Sequence, residues 1–106
     1  MNFNTMLKQA QIMQQKMEEI KSQVANAEYE GKSGAGLVKI SINGSGRIKS
    51  LSLDASILKP EEKEVVEDLV IAAFNDAKDR LDQDSKEKMS SAMSGFGLPE
   101  GMKFPF

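Results

Sequence analysis

Apolar residues recur at Met6, Ala10, Met13, Met17, Ile20, Val24 and Ala27, alternately four and three positions apart. That spacing keeps all seven on one stripe. Sustained for about three heptads, it is the pattern of a helix that packs along its length against another helix. The helix is expected from Thr5, a candidate N-cap, to about Ala27, with Lys8 standing where a full capping box needs glutamate. The period then shortens. In "GLVKISI", Val38, Ile40 and Ile42 alternate with Lys39 and Ser41, which predicts a strand with one buried face. "RIKSLSLD" predicts a returning strand in which Ile48 breaks phase with Leu51 and Leu53, and a β-bulge in the stretch from Gly46 to Lys49 accounts for the break. Between the two strands, Asn43-Gly44 predicts a hairpin turn, because both residues accept the positive φ of a tight reversal. Upstream, "AEYEGKS" predicts a further strand, joined through a Gly34-Ala35-Gly36 corner. So small a sheet has exposed edges, and an edge must either be blunted or pair with another chain.

The helical period returns after Asp54. Pro60 suits a first helical position, and Glu61, Glu62 and Glu64 place negative charge at the positive end of the helix dipole. Val66, Val70, Ala73, Ala77 and Leu81, supported by Leu69 and Phe74, form a stripe expected to face the sheet. "DQDSKEK" follows with no apolar residue, so the helix is expected to project past the core into solvent. The order of elements is α-β-β-β-α, an α+β class, with one domain over 1–94 and a Gly/Pro-rich tail over 95–106.

Composition changes the picture in two ways. At 106 residues the core is thin. Four of the five phenylalanines (Phe3, Phe96, Phe104, Phe106) lie near the ends, so self-association, a homodimer, is the expected remedy. Cysteine and histidine are both absent, which excludes thiolate and imidazole chemistry and argues strongly against an enzyme. No cofactor is expected. Lys8 and the glutamines near it interrupt the apolar core that a signal peptide needs, and no stretch has the apolar length of a membrane span. A soluble cytoplasmic protein is expected.

Charge is lopsided. The net charge is −2. Yet residues 1–60 carry eight bases against five acids, and residues 61–106 carry six bases against eleven acids. Such asymmetry can direct a partner to one part of a molecule.

Two motifs suggest chemistry and fail on inspection. Gly31-Lys32-Ser33 lacks the glycine five positions earlier that a phosphate-binding P-loop needs, since Asn26 stands there, and a strand follows it where a helix is required. Asp82-Gln83-Asp84 begins like a calcium loop, but Glu87 and Met93 occupy the positions that need glycine and glutamate. Asp76, Asp79 and Asp82 share a helical face and are expected to be solvated. No metal site is predicted.

"LKQAQIMQQKMEEI", "GKSGAGLVKISING", "EDLVIAAFNDAKDRL" and "EKMSSAMSGFGLPEGMKFPF" together resemble the YbaB/EbfC family of bacterial nucleoid-associated proteins, from about Met6 to Phe106. The resemblance implies a homodimer with protruding helices, a tweezers-like outline, binding to double-stranded DNA and a nucleoid location. It assigns DNA contact to the two long helices. Here the candidates are Lys8, Lys16 and Lys21 on the first helix, with Lys78, Arg80, Lys86 and Lys88 on the last. Lys16 and Lys21 flank opposite sides of the heptad stripe while Lys8 points elsewhere, so no single basic stripe is expected. The alternative reading is a protein-interaction module of the replication or repair machinery that does not bind DNA directly.

Overall fold

The computed structural model describes residues 2–94, and the expected tail over 95–106 lies outside the described residues. Helix α1 spans Phe3–Asn26, strands β1, β2 and β3 span Glu28–Ser33, Val38–Asn43 and Ile48–Leu53, and helix α2 spans Lys63–Ser94. The strands form one antiparallel sheet in the order β1-β2-β3.

The register puts Tyr29, Gly31 and Ser33 beside Ile42, Ile40 and Val38, and these beside Ile48, Leu51 and Leu53, on one face of the sheet. The expected bulge is present. Ser41 pairs with Ser50 while Ile42 pairs with Ile48, so Lys49 is the extra residue that returns Ile48 to the apolar face. Helix α2 lies on that face over β1 and β2. Ala73 and Ala77 are fully buried. They meet the strand at Gly31, where a Cβ would come within 2.0 Å of the Ala73 carbonyl oxygen. Helix and strand backbones therefore almost touch, which brings Val38, Ile40 and Ile42 into the centre of the core. The edge of β1 is blunted by the same helix: Asp76 accepts the Lys32 N–H at 3.0 Å, and Ser33 Oγ donates to the Leu69 carbonyl at 2.5 Å. Strand β3 has no such cover, and Ile48 and Leu51 are about half exposed although they share the apolar face.

Three local expectations need correction. The N-cap is Asn2, not Thr5: Asn2 Oδ1 accepts both the Thr5 N–H and the Thr5 hydroxyl at 2.8 Å, placing Thr5 inside the first turn. Either residue can cap. Asn2, lying farther upstream, captures the first free amides. At the hairpin, positive φ falls on Gly46 (82°) and not on Asn43-Gly44. Asn43 instead organises the turn through its side chain, whose Oδ1 accepts from Ser45 N–H, Ser45 Oγ and Arg47 N–H. Gly44 is required for space, since a Cβ there would lie 1.7 Å from the Val24 carbonyl oxygen of α1. The loop is a three-residue turn with a left-handed last position, not the two-residue type.

The third correction concerns the far half of α2. It projects as expected but is not solvated on all sides, because α1 runs back along it. Met89 joins Ile20, Val24 and the partly buried Met17 and Ala92 in the core cluster, and Met93 is buried too. The seam of α1 is thus covered from Met13 onward and bare at Ala10 and Met6. Phe3 and Leu7, close to Met6 on the same side of the helix, are exposed with it. The two helices make an arm that gives the molecule extents of 69 × 24 × 17 Å.

Candidate nucleic-acid interface

At the root of the arm, Tyr29, the second residue of β1, reaches α2. Its hydroxyl donates to Asp84 Oδ2 at 2.5 Å, and Lys88 Nζ donates to the same oxygen at 2.7 Å. Burial, followed by the hydrogen bond to the Asp84 carboxylate, pushes the Tyr29 phenol up to about 12. The Lys88 ammonium and then the Tyr29 hydroxyl hold the Asp84 carboxyl below its usual range. This triad ties β1 to α2 and does not offer Lys88 freely to a ligand.

Two further cations of α2 are also engaged, while Lys86 has no carboxylate within 4.0 Å among the described residues. Lys78 pairs with Asp82 at 2.7 Å and Arg80 Nε with Asp76 at 3.5 Å, each one helical turn apart. Lys86 is exposed beside Asp82 and Glu87. Successive residues advance by about 100°, so these four cations point to all sides of α2. On α1, Lys8, Lys16 and Lys21 are all exposed. Among the described residues none has a carboxylate within 4.0 Å, and the three spread over roughly 220° of the helix surface. The structure therefore places Lys78 and Arg80 on the part of α2 that lies over the sheet and the other candidates farther along the two helices, and it does not align the seven in one stripe.

It brings together something else. Lys32 and Lys39 face each other directly across β1 and β2. With Arg80 and Asp76 they line an open depression of about 520 Å³ around Ala35 and Gly36. Gly34, Ala35 and Gly36 have φ of 59°, 54° and 93°, three left-handed residues in succession, and the Leu37 N–H closes the corner onto the Gly34 carbonyl at 3.2 Å. The Lys32 backbone N–H, and secondarily Arg80, keep the Asp76 carboxyl below its ordinary value. The sequence already held the signal for the two lysines. Strands joined by the four residues 34–37, with period-two alternation on each, put Lys32 and Lys39 on the same outer face.

The profile of the YbaB/EbfC DNA-binding family matches residues 1–96. The chain belongs to this family. It is similar to a nucleoid-associated protein of Rickettsia bellii (strain OSU 85-389), 56% identical over 105 residues that cover 99% of this chain and 98% of the relative. A nucleoid-associated protein of Rickettsia felis is 53% identical over the same coverage. Among solved structures, the chain resembles the crystal structure of an uncharacterized protein from Helicobacter pylori, with a TM-score of 0.72, 26% identity and coverage of 92% of this chain and 99% of the other. The YbaB/EbfC fold of helix, three-stranded antiparallel sheet and long helix is thus the fold of this chain. Among the described residues no helix is long and apolar enough to cross a membrane, and no group of three or more acidic side chains is placed to hold a metal ion.

Proposed function

We propose that the chain binds double-stranded DNA at the nucleoid as a homodimer, and that the lysines of its projecting helices contact phosphates. The observation that carries this reading is the set of three exposed lysines on α1 with no carboxylate partner among the described residues, in a member of a DNA-binding family. Neutralising a phosphate requires a cation not already committed. Lys8, Lys16 and Lys21 meet that condition among the described residues, as does Lys86 on α2; Lys78 and Arg80 would first have to exchange their exposed i,i+4 partners, which costs little, and Lys88 is held in a partly buried pair with Asp84. The reading involves no catalysis and no cofactor.

Dimerisation rests on the bare part of the sheet. Ile48 and Leu51 continue the apolar face that α2 covers elsewhere, and Ile71 is exposed on the neighbouring flank of the helix. A second copy laid against this surface buries both sets at once and covers the β3 edge.

Gel-shift titrations at two salt concentrations test the DNA reading. Log affinity is expected to fall linearly with log salt, by about 0.9 per phosphate contacted. Changing Lys16 and Lys21 together to Gln removes up to four charges per dimer at nearly unchanged helix propensity, so the variant should stay folded, bind more weakly on every sequence and show a shallower slope. Loss confined to one preferred sequence points to base readout. No binding at low salt favours the protein-interaction reading, for a partner in replication or repair.

A further inference from the structure

We infer that the corner between β1 and β2 is a second phosphate-contact site, in which Lys32, Lys39 and Arg80 hold a backbone phosphate of the DNA that the arm engages. The inference rests on the DNA-binding reading above and adds the sheet to a surface otherwise confined to the helices.

The first ground is a local contradiction. Like charges directly opposite in an antiparallel pair destabilise the sheet, yet Lys32 and Lys39 are in register on neighbouring strands. Lys32 is balanced in part by Glu30 at 3.4 Å, a pair more than half exposed. Lys39 has no carboxylate within 4.0 Å among the described residues. A bound anion relieves the repulsion that the strands alone leave in place. The second ground is the cross-element convergence. Arg80 comes from α2, more than forty residues away in sequence, and its side chain opens on the same depression as the two lysines. The one acid in the lining, Asp76, accepts the Lys32 N–H and pairs with Arg80 Nε at 3.5 Å through the same oxygen, an exposed pair that Arg80 exchanges for the phosphate at little cost. The lining therefore carries net positive charge in a chain whose total is −2.

The third ground is the shape. Ala35 and Gly36 form the floor, so no large side chain obstructs the approach of a rigid surface. Keeping Ala35 left-handed costs about 1 kcal/mol, and strain of this kind gathers where a loop must present a fixed shape. The depression is open to solvent, which screens a lone ion. A phosphate delivered by a duplex already held at the arm arrives at high effective concentration, so the geometry favours DNA over a free anion.

Lys39→Gln is the test, because Lys39 has no ion pair to lose among the described residues. In phosphate-free buffer its melting temperature should equal or exceed that of the unaltered protein. Affinity for duplex DNA should fall by roughly tenfold at 0.1 M salt for each site engaged, and the salt slope should become shallower by about 0.9 per site. Lys39→Arg should restore both. If Lys39→Gln melts lower, Lys32→Gln is read by the same slope, with the same expectation. An unchanged affinity and slope, while the Lys16 and Lys21 changes still weaken binding, overturns the corner site and leaves the DNA reading standing. Failure of the unaltered protein to bind at low salt overturns both. Inorganic phosphate that raises the melting temperature of the unaltered protein but not of Lys39→Gln, with no change in DNA slope, identifies a free-anion site and overturns the assignment to DNA.

Discussion

Gly31 is the residue on which the packing of sheet and helix turns. Its missing Cβ leaves room for the Ala73 carbonyl oxygen and the Ala77 amide, and Gly31→Ala would force the two backbones apart. We expect a loss of about 1–3 kcal/mol, read as a lowered denaturant midpoint with the secondary structure retained. Tyr29 makes a different prediction, one about pH. Its phenol ionises near 10 in the unfolded chain and near 12 in the folded one, so the fold prefers the neutral form. That contribution is complete below pH 10 and is lost as the pH rises from about 10 to 12. Asp84 works in the opposite sense. Its depressed carboxyl stabilises the fold above its unfolded value near 4 and loses that effect as the pH falls further. Tyr29→Phe should remove roughly 1–2 kcal/mol at neutral pH and flatten the alkaline decline in urea titrations. A decline that persists unchanged in Tyr29→Phe assigns it to other groups.

At the scale of elements, the corner after β1 supplies the sharpest test of backbone geometry. Gly34 has φ of 59° and its absent Cβ faces Leu69 methyl groups at 3.1–3.2 Å, so Gly34→Val meets both an unfavourable backbone and a crowded site. Its melting temperature should drop by several degrees with or without DNA; an unchanged melting temperature with lost binding would make the glycine a ligand contact. The elements themselves were legible in the sequence because each carries its own period: two for β2, seven for α1, and a 4-3-4-4 stripe on α2. The bulge was legible for the same reason, as a break in phase between Ile48 and Leu51. What stayed hidden depends on contacts between elements. Asn43-Gly44 has the composition of a two-residue turn, but Gly44 answers to α1 passing over it and not to φ. The polar run "DQDSKEK" carries no apolar period, so nothing local announces that Asp84 is held by Tyr29 or that Met89 packs with Ile20 and Val24 of α1. At the candidate interface the sequence gives the inventory of cations; which of them are already paired follows only from helix phase and side-chain reach.

The whole molecule is far from spherical. A compact domain of the described size has a radius of gyration of about 12 Å, against 19.4 Å here. The apolar face of β3 is half exposed at Ile48 and Leu51 in one copy, and the dimer proposed above accounts for it. Light scattering at micromolar concentration should give twice the monomer mass of 11.6 kDa, and the melting temperature should rise with protein concentration. Leu51→Lys, at a half-exposed position in the protomer, should yield a folded monomer of lower melting temperature. The monomer mass throughout the concentration range for the unaltered protein would refute the dimer. The arm carries one more consequence. Its inner seam is closed in part by Met17 and Met89, whereas the core residues contributed by the strands include no methionine. Thioethers are the oxidisable groups of a chain without cysteine, and conversion to the sulfoxide places a polar oxygen where a flexible apolar side chain had packed. Oxidative damage would therefore part the two helices of the arm and leave the sheet folded.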